Sequence, residues 1–177
     1  MQDPDPRTLA RARQGDLHAF EELVRMYQAD VYRFARHLTR DRTLAEDVAQ
    51  ETFLRAFRFL SSFRGDSKFP SWLLRICRNC SMDALRARRT LLAREELEPR
   101  APTAVADAVA RAELHAALAS VEEEHREPFL LIEVFGMSYR EAADVLGLKV
   151  GTVKSRMHRA RKALCRALEV EGDAGEV

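Results

Sequence analysis

The chain has 177 residues, which suits one ordinary domain or two small ones, and its apolar content of 46% is enough to form a core, so a disordered protein is excluded. Its 29 Lys and Arg residues nearly cancel its 28 Asp and Glu residues, so only the distribution of charge can indicate a partner. The polar N-terminal segment has no apolar run typical of a secretory signal, and no stretch is apolar enough to cross a bilayer. These features predict a cytoplasmic protein without direct membrane insertion.

Apolar residues recur with helical spacing along almost the whole chain, whereas strand alternation and hairpin signals are absent. The pattern therefore predicts an all-α fold class. The first four helices are expected at residues 6–14, 16–38, 43–60 and 69–89, with a possible break in the second near Gln28.

The periodicity weakens after Arg89 and resumes near Asp107. Two prolines and several small residues lie between, which is typical of a flexible linker, with some helix at its start. Further helices are expected at residues 107–121, 127–135, 139–146 and 150–169, and Pro128 would occupy the first turn of its helix. The sequence thus predicts two small helical domains, residues 1–90 and 107–177, joined by a linker over residues 91–106.

The last two predicted helices have the spacing of a helix-turn-helix. Ser138 and Glu141 form a capping-box pattern that begins one helix, Gly147 is suited to end it, and the next helix follows three residues later. So short a turn containing glycine is characteristic of the motif whose second helix enters the DNA major groove.

The second helix of this pair has two contrasting faces. The segment from Leu146 to Leu164 holds six Lys and Arg residues and no acidic residue. An apolar stripe is predicted for Val150, Val153, Met157, Ala160, Leu164 and Leu168. The opposite side and its flanks carry polar or basic residues: Ser155, Arg159, Lys162, Arg166, Lys154, Arg156 and His158. Such a face suits a phosphate-rich duplex, and the alternative is an ordinary solvated helix.

The helix predicted at residues 43–60 carries an unusual outward face. Leu54 is framed there by Asp47, Gln50 and Glu51, on the side opposite the expected core stripe. A leucine surrounded by acid and amide suggests a docking surface for another protein. Single exposed leucines are common, however, so an ordinary surface position is the alternative.

Aromatic and basic residues alternate at the start of the fourth predicted helix. Phe63, Phe69 and Trp72 are interleaved with cations, namely Arg64, Lys68, Arg75 and Arg78. Stacking platforms beside cations suit single-stranded nucleic acid. Trp72 and its neighbours also have the spacing of ordinary core residues, which leaves the loop as the more specific part of the signal.

Cys77 and Cys80 form a C-x-x-C pair on a predicted helix. No second pair with zinc-ligand spacing is present, so two buried thiols are expected, with redox control or metal binding as alternatives. The sequence also lacks a phosphate loop, a zinc-protease helix, a nucleophile elbow and a dinucleotide fingerprint. Neither an enzyme nor a cofactor or metal is therefore predicted.

Three ordered segments together carry a family resemblance: AEDVAQETFLRAF, SFRGDSKFPSWLLRICRN and MSYREAADVLGLKVGTVKSRMHRARKAL. In this order they resemble the extracytoplasmic function (ECF) group of the bacterial sigma-70 family, over about Leu9 to Leu168. The resemblance implies the second and fourth sigma domains, and promoter-specific transcription initiation with core RNA polymerase. It also implies an anti-sigma factor as a further partner.

The resemblance assigns roles to particular residues of this chain. It places the docking helix for the polymerase clamp coiled coil at Asp47, Gln50, Glu51 and Leu54. It places capture of an unpaired −10 base at Phe63, Arg64, Ser67, Lys68 and Asn79. It places reading of the −35 duplex at Lys154, Ser155, His158 and Arg159, with Arg156 and Lys162 on the same helix. Histidine stands at position 158, where relatives often carry an aromatic residue.

Two other functions compete with a sigma factor. A freestanding helix-turn-helix regulator would leave the surface around Leu54 and the SFRGDS loop without a purpose. A helical interaction module, such as an adaptor or an anti-sigma-like protein, would not need a basic helix without acidic residues. A transcription assay with purified core polymerase separates the three.

Overall fold

The computed structural model describes residues 1–95 and 121–173, and all regular structure within these ranges is helical, which confirms the predicted all-α class. The chain divides into two compact units, residues 1–103 and 104–177. Most of the predicted linker and of the predicted helix at 107–121 lies outside the described residues.

Four helices build the first unit: α1 (Pro6–Arg13), α2 (Leu17–Thr39), α3 (Arg42–Phe59) and α4 (Phe69–Glu95), with a 3₁₀ turn at Leu60–Ser62 after α3. Helix α2 runs unbroken through Gln28, so the predicted break there is wrong. Tyr27 and Val31, on either side of that point, are both buried, and this packing holds the helix continuous. Helix α4 continues past the predicted end at residue 89, in keeping with helix at the start of the predicted linker.

Aspartates begin the first three helices. The side chains of Asp5, Asp16 and Asp41 accept hydrogen bonds from backbone N–H groups in the first turns of α1, α2 and α3. Asp41 also accepts a bond of 2.9 Å from Arg88 on α4. The N–H of Leu44 and this guanidinium lower the pKa of the Asp41 carboxyl, which therefore stays charged and ties α4 to the start of α3.

Helix α2 contributes much of the core of the first unit, where it packs against α1, α3 and α4. Cys77 and Cys80 lie inside this core at 0% and 3% exposure, as expected for buried thiols. The Cys77 thiol donates to the carbonyl of Val31 at 3.7 Å, and burial raises the pKa of Cys77 to about 12. A thiol held protonated in this way is a poor nucleophile.

The second unit contains α5 (Glu123–Phe129), a π-helical turn (Leu130–Val134), α6 (Tyr139–Leu146) and α7 (Val150–Asp173). Helix α6 has its predicted bounds. Helix α5 begins four residues before the predicted 127, so Pro128 lies near its end and the placement in a first turn is wrong. Proline has no N–H for the helical ladder, and the wider π turn follows it directly, with Phe135 bonded to the Leu130 carbonyl.

Candidate protein and nucleic-acid interfaces

Both ends of α6, the first helix of the predicted helix-turn-helix, have the caps that the sequence predicts. The Ser138 hydroxyl accepts from the N–H of Glu141 at 3.2 Å, and the Glu141 carboxylate accepts from the N–H of Ser138 at 2.7 Å. Gly147 then adopts the left-handed conformation, with φ of 67°, and ends the helix. These contacts confirm the predicted capping box and the predicted turn.

Helix α7 buries one face and exposes the other. Its buried residues match most of the predicted stripe: Val153, Met157, Ala160 and Leu164. Val150, at the first position of the helix, is 37% exposed and is a correction to that stripe; the side chain of Leu168 lies outside the described residues. The exposed face carries five of the predicted DNA-binding residues: Lys154, Ser155, His158, Arg159 and Lys162.

Two arginines of α7 bind acidic residues of the same unit. Arg156 forms an ion pair of 2.8 Å with Glu124 of α5, and only 24% of its side chain is exposed. Arg161 forms one of 2.7 Å with Glu133 of the π turn. Arg156, which was predicted to bind DNA, therefore joins α7 to α5 in this structure. The partners are 32 and 28 residues apart in sequence, so periodicity gave no signal for either pair.

The other cations of this face are differently placed. Lys154, Arg159 and Lys162 form no ion pair with the residues that the structure describes. The Ser155 hydroxyl donates to the Thr152 carbonyl at 2.9 Å, which leaves its oxygen lone pairs as acceptors. The centre of the exposed face is thus positive, while its flanks are neutralised.

Glu122, Glu124 and His125 lie together at the start of α5, with potential ligand atoms within 4.8 Å of one another. The two ring nitrogens of His125 face different carboxylates, each at 3.3 Å. Glu124 is also bonded to Arg156. A metal ion would need one imidazole nitrogen and both carboxylates to face the same point. The two nitrogens instead face different carboxylates, so these three residues form an ion-pair cluster when the ring is protonated.

The predicted docking residues share one face of α3. Asp47 and Gln50 are exposed, Glu51 is half-buried, and Leu54 is 54% exposed. Spacings of three, four and seven residues bring these side chains together on a helix surface. Phe57, one turn beyond Leu54, is also 41% exposed and extends the apolar part of this face.

Arg55 lies at the edge of this face of α3 and is bonded to residues on both sides. Its guanidinium donates to Glu51 at 2.6 Å and to Asp83 of α4 at 3.0 Å. The bond to Glu51 joins two neighbouring turns of α3, and the bond to Asp83 joins α3 to α4. Sequence reasoning missed Arg55 because Asp83 is 28 residues away; the Glu51–Arg55 spacing of four residues was the available signal.

The loop at residues 64–68 connects the 3₁₀ turn to α4. Arg64 and Lys68 are exposed and Ser67 is half-buried. Gly65 adopts the left-handed region with φ of 80°, which a side chain would strain. The loop thus presents polar and charged groups to solvent.

Phe63 was expected to stack on a base, but its ring is only 6% exposed. It packs edge-on against Phe69 at 5.8 Å between ring centroids, and against Trp72 at 5.2 Å. A ring covered in this way offers no free face to a base, so the exposure that the stacking prediction required is wrong for this structure. The free energy gained by packing three neighbouring aromatic rings together favours burial of Phe63 over its exposure to solvent.

Asn79 is exposed on α4. It follows the half-buried Trp72 by seven residues, which is two helical turns or about 10 Å along one side of the helix. The loop precedes the same helix. The structure therefore places Asn79 on the side of α4 that continues from the aromatic residues beneath the loop.

Two family models match the chain: Sigma-70 region 2 over residues 23–90, and Sigma-70 region 4 over residues 111–164. The matched segments contain the α3 face and the 64–68 loop in the first case, and the helix-turn-helix in the second. The chain therefore belongs to the sigma-70 family of RNA polymerase sigma factors, which direct promoter-specific transcription initiation.

Individual relatives identify the group within this family. The chain is 34% identical to the RNA polymerase sigma-H factor of Pseudomonas aeruginosa over 185 residues, with 95% of each chain covered. It is 36% identical to the ECF RNA polymerase sigma factor SigM of Mycobacterium tuberculosis, covering 93% of this chain and 84% of the relative. It is an ECF sigma factor.

Solved structures agree with this assignment. The sigma factor RpoE of Bartonella quintana, solved with the anti-sigma factor NepR, is 29% identical with a TM-score of 0.78, over 85% of this chain and 97% of that chain. CnrH, known from Cupriavidus metallidurans and solved with the cytosolic domain of CnrY, is 32% identical with a TM-score of 0.71, over 92% and 96%. Among the described residues, no helix is long and apolar enough to cross a membrane.

Proposed function

We propose that the two units divide promoter recognition between them. The first unit docks on the clamp coiled coil of core RNA polymerase and holds an unpaired base of the −10 element. The second reads the −35 duplex. The observation that carries the proposal is the exposed face of α7, which presents Lys154, Arg159 and Lys162 without a neutralising partner among the described residues.

The α3 face supplies the contacts for polymerase. Leu54 offers an apolar anchor, and Asp47, Gln50 and Glu51 offer acceptors around it. Anchors of this kind are most effective when polar groups surround them and exclude water. The bonds from Arg55 limit the motion of the Glu51 carboxylate, so less conformational entropy is lost when a partner binds it.

Arg64, Ser67, Lys68 and Asn79 supply the contacts for the unpaired −10 strand. Exposed cations of the loop suit the sugar-phosphate backbone, whereas the Asn79 amide can donate to and accept from the edge of one base. Extrusion of a base costs a few kcal/mol of stacking, so the pocket must repay it with specific hydrogen bonds. Phe63 supports the loop from beneath.

The N-terminal half of α7 supplies the contacts for the −35 duplex, because recognition helices read base edges with the residues nearer their start. Arg159 can donate two hydrogen bonds to the O6 and N7 atoms of guanine. The Ser155 oxygen is free to accept from an amino group of adenine or cytosine. His158 is exposed beside them, and Lys154 and Lys162 suit backbone phosphates.

Two further parts of the proposal rest on the relatives. Related structures were solved with an anti-sigma factor or another partner, and both proposed interfaces here are exposed surfaces that such a protein would cover. We propose an anti-sigma factor as a partner, and the cytoplasm as the place of action. The predicted domain limits stay proposals, with α4 continuing to Glu95.

The test is transcription with purified core polymerase, using genomic DNA from the source organism as template. The protein is expected to yield specific transcripts that core polymerase alone does not make. Asn79→Ala should retain polymerase binding but reduce permanganate reactivity of the melted −10 strand, and Gln28→Ala, at an exposed amide on α2, is the matched control. Absence of specific transcripts, or unaltered reactivity in the Asn79 variant, would refute the corresponding assignment.

A further inference from the structure

We propose that Tyr27 is a positioning residue for the −10 loop, residues 64–68, acting through a chain of aromatic rings and itself held by a hydrogen bond to the segment that precedes α1. The inference rests on the proposed function of residues 64–68 and Asn79. The ring of Tyr27 contacts Phe69, which follows the loop, so its effect on DNA would pass through Phe69 and Phe63.

The hydroxyl of Tyr27 anchors the first residues of the chain. It donates to the carbonyl oxygen of Gln2 at 2.7 Å, and the side chain is only 1% exposed. Pro4, two residues further on, is buried as well. Burial in the first place, and then the carboxylates of Asp3 and Asp30, raise the pKa of Tyr27 above its ordinary value. The hydroxyl therefore remains a protonated donor at every physiological pH.

The ring of Tyr27 begins a continuous aromatic series. Its centroid lies 5.4 Å from that of Phe69, which lies 5.8 Å from Phe63 and 5.6 Å from Trp72. Phe63 immediately precedes the loop and Phe69 immediately follows it. The same packed cluster thus fixes both ends of the loop, and Tyr27 joins it through Phe69.

The position of the loop ends matters because most residues between them are exposed to solvent. Gly65 is exposed and has open space where a side chain would stand, and Arg64 and Lys68 are exposed too. A loop that must be ordered when DNA binds loses conformational entropy, and this cost is smaller when the loop is already in place. Disrupting the aromatic cluster should therefore weaken the selective contacts to the −10 base more than it weakens polymerase binding through α3.

The test compares holoenzymes made with wild-type protein and with Tyr27→Leu. The probe is a single-stranded oligonucleotide carrying the non-template −10 element of a promoter recovered by transcription, beside the same oligonucleotide changed at one base. We expect Tyr27→Leu to reduce the ratio of the two affinities at least threefold, while affinity for core polymerase stays within twofold of wild type. A general loss of folded protein would lower both oligonucleotide affinities equally and leave their ratio unchanged.

Two more variants keep the test decisive if Tyr27→Leu folds poorly. Tyr27→Phe removes only the bond to Gln2, and should reduce the ratio less than Tyr27→Leu; Tyr32→Phe, on the same helix, is its control. Phe63→Leu should reproduce the Tyr27→Leu effect from the loop side. The inference is overturned if Tyr27→Leu shows the wild-type ratio. If that variant does not fold, a wild-type ratio in both Tyr27→Phe and Phe63→Leu overturns it. Wild-type holoenzyme that does not distinguish the oligonucleotides overturns the proposed −10 function instead.

Discussion

Helices α3 and α7 each bury one side and expose the other, yet their exposed faces have opposite chemistry. On α3, Arg55 is neutralised by Glu51 from its own helix and by Asp83, and the face is left with a leucine among acids and an amide. On α7, the acids come from other elements, and within residues 1–95 and 121–173 they pair with Arg156 and Arg161 but not with Lys154, Arg159 or Lys162. The charges that remain uncompensated thus differ in sign, and they determine which kind of partner each face suits.

This difference has a consequence for salt dependence. Binding through an apolar anchor changes little with ionic strength, whereas binding through cations to phosphates releases counterions and weakens steeply as salt rises. The two faces should therefore be distinguishable by mutations measured at two salt concentrations, even within one holoenzyme.

Replacement of Arg159 should have the largest effect. A bidentate arginine–guanine contact discriminates by about 1–3 kcal/mol, so Arg159→Ala should weaken promoter binding by that amount and relax preference at one −35 base pair. Binding to a panel of −35 variants measures both. If the full sequence preference survives, Arg159 lies on a phosphate-facing or solvent-facing side of α7.

Replacement of Leu54 should follow in size. Loss of a moderate interface anchor costs about 1–2 kcal/mol, so Leu54→Ala should weaken core polymerase binding by this amount at both low and high salt. Leu91→Ala is the matched control, because Leu91 on α4 is 56% exposed against 54% for Leu54. Asp47→Arg should also weaken binding. Wild-type affinity in folded Leu54 and Asp47 variants would contradict the docking assignment.

Replacement of Lys162 should lower the affinity for DNA without changing the sequence preference. A lysine on a backbone phosphate carries no sequence information, so Lys162→Ala should lower affinity for all −35 variants equally. The slope of log affinity against log salt should fall by about 0.9, the value for one phosphate contact on duplex DNA. A change in base preference would instead assign Lys162 to a base edge.

The sequence predicted local features well and distant contacts poorly. Ser138, Glu141 and Gly147 lie within ten residues, and their backbone chemistry alone determines both ends of α6. The exposure of Leu54 followed from helical periodicity. The burial of Phe63 was not predicted because it depends on Phe69 and Trp72, which pack around it. The break near Gln28 was wrongly predicted because core contacts override local propensity.

Arg156 shows how a contact between distant residues changes the interpretation of the α7 face. On the helix surface it flanks Lys154 and Arg159, and periodicity alone cannot separate it from the cations that are proposed to contact DNA. The separation comes from Glu124, which belongs to α5 and lies 32 residues earlier.

The smallest predicted effect tests whether Arg156 belongs to the fold or to the DNA interface. Ion pairs that remain partly exposed are worth about 0.2–1 kcal/mol, so Arg156→Ala should lower the free energy of unfolding by no more than this and leave the −35 preference unchanged. The effect on stability should largely disappear in a Glu124→Ala background, because the pair is then already broken. Denaturant unfolding of the four proteins in this cycle measures the coupling, and binding to the −35 panel measures preference. If Arg156→Ala instead relaxes preference at a base pair, its guanidinium leaves Glu124 on binding, and the positive centre of the α7 face extends to this flank.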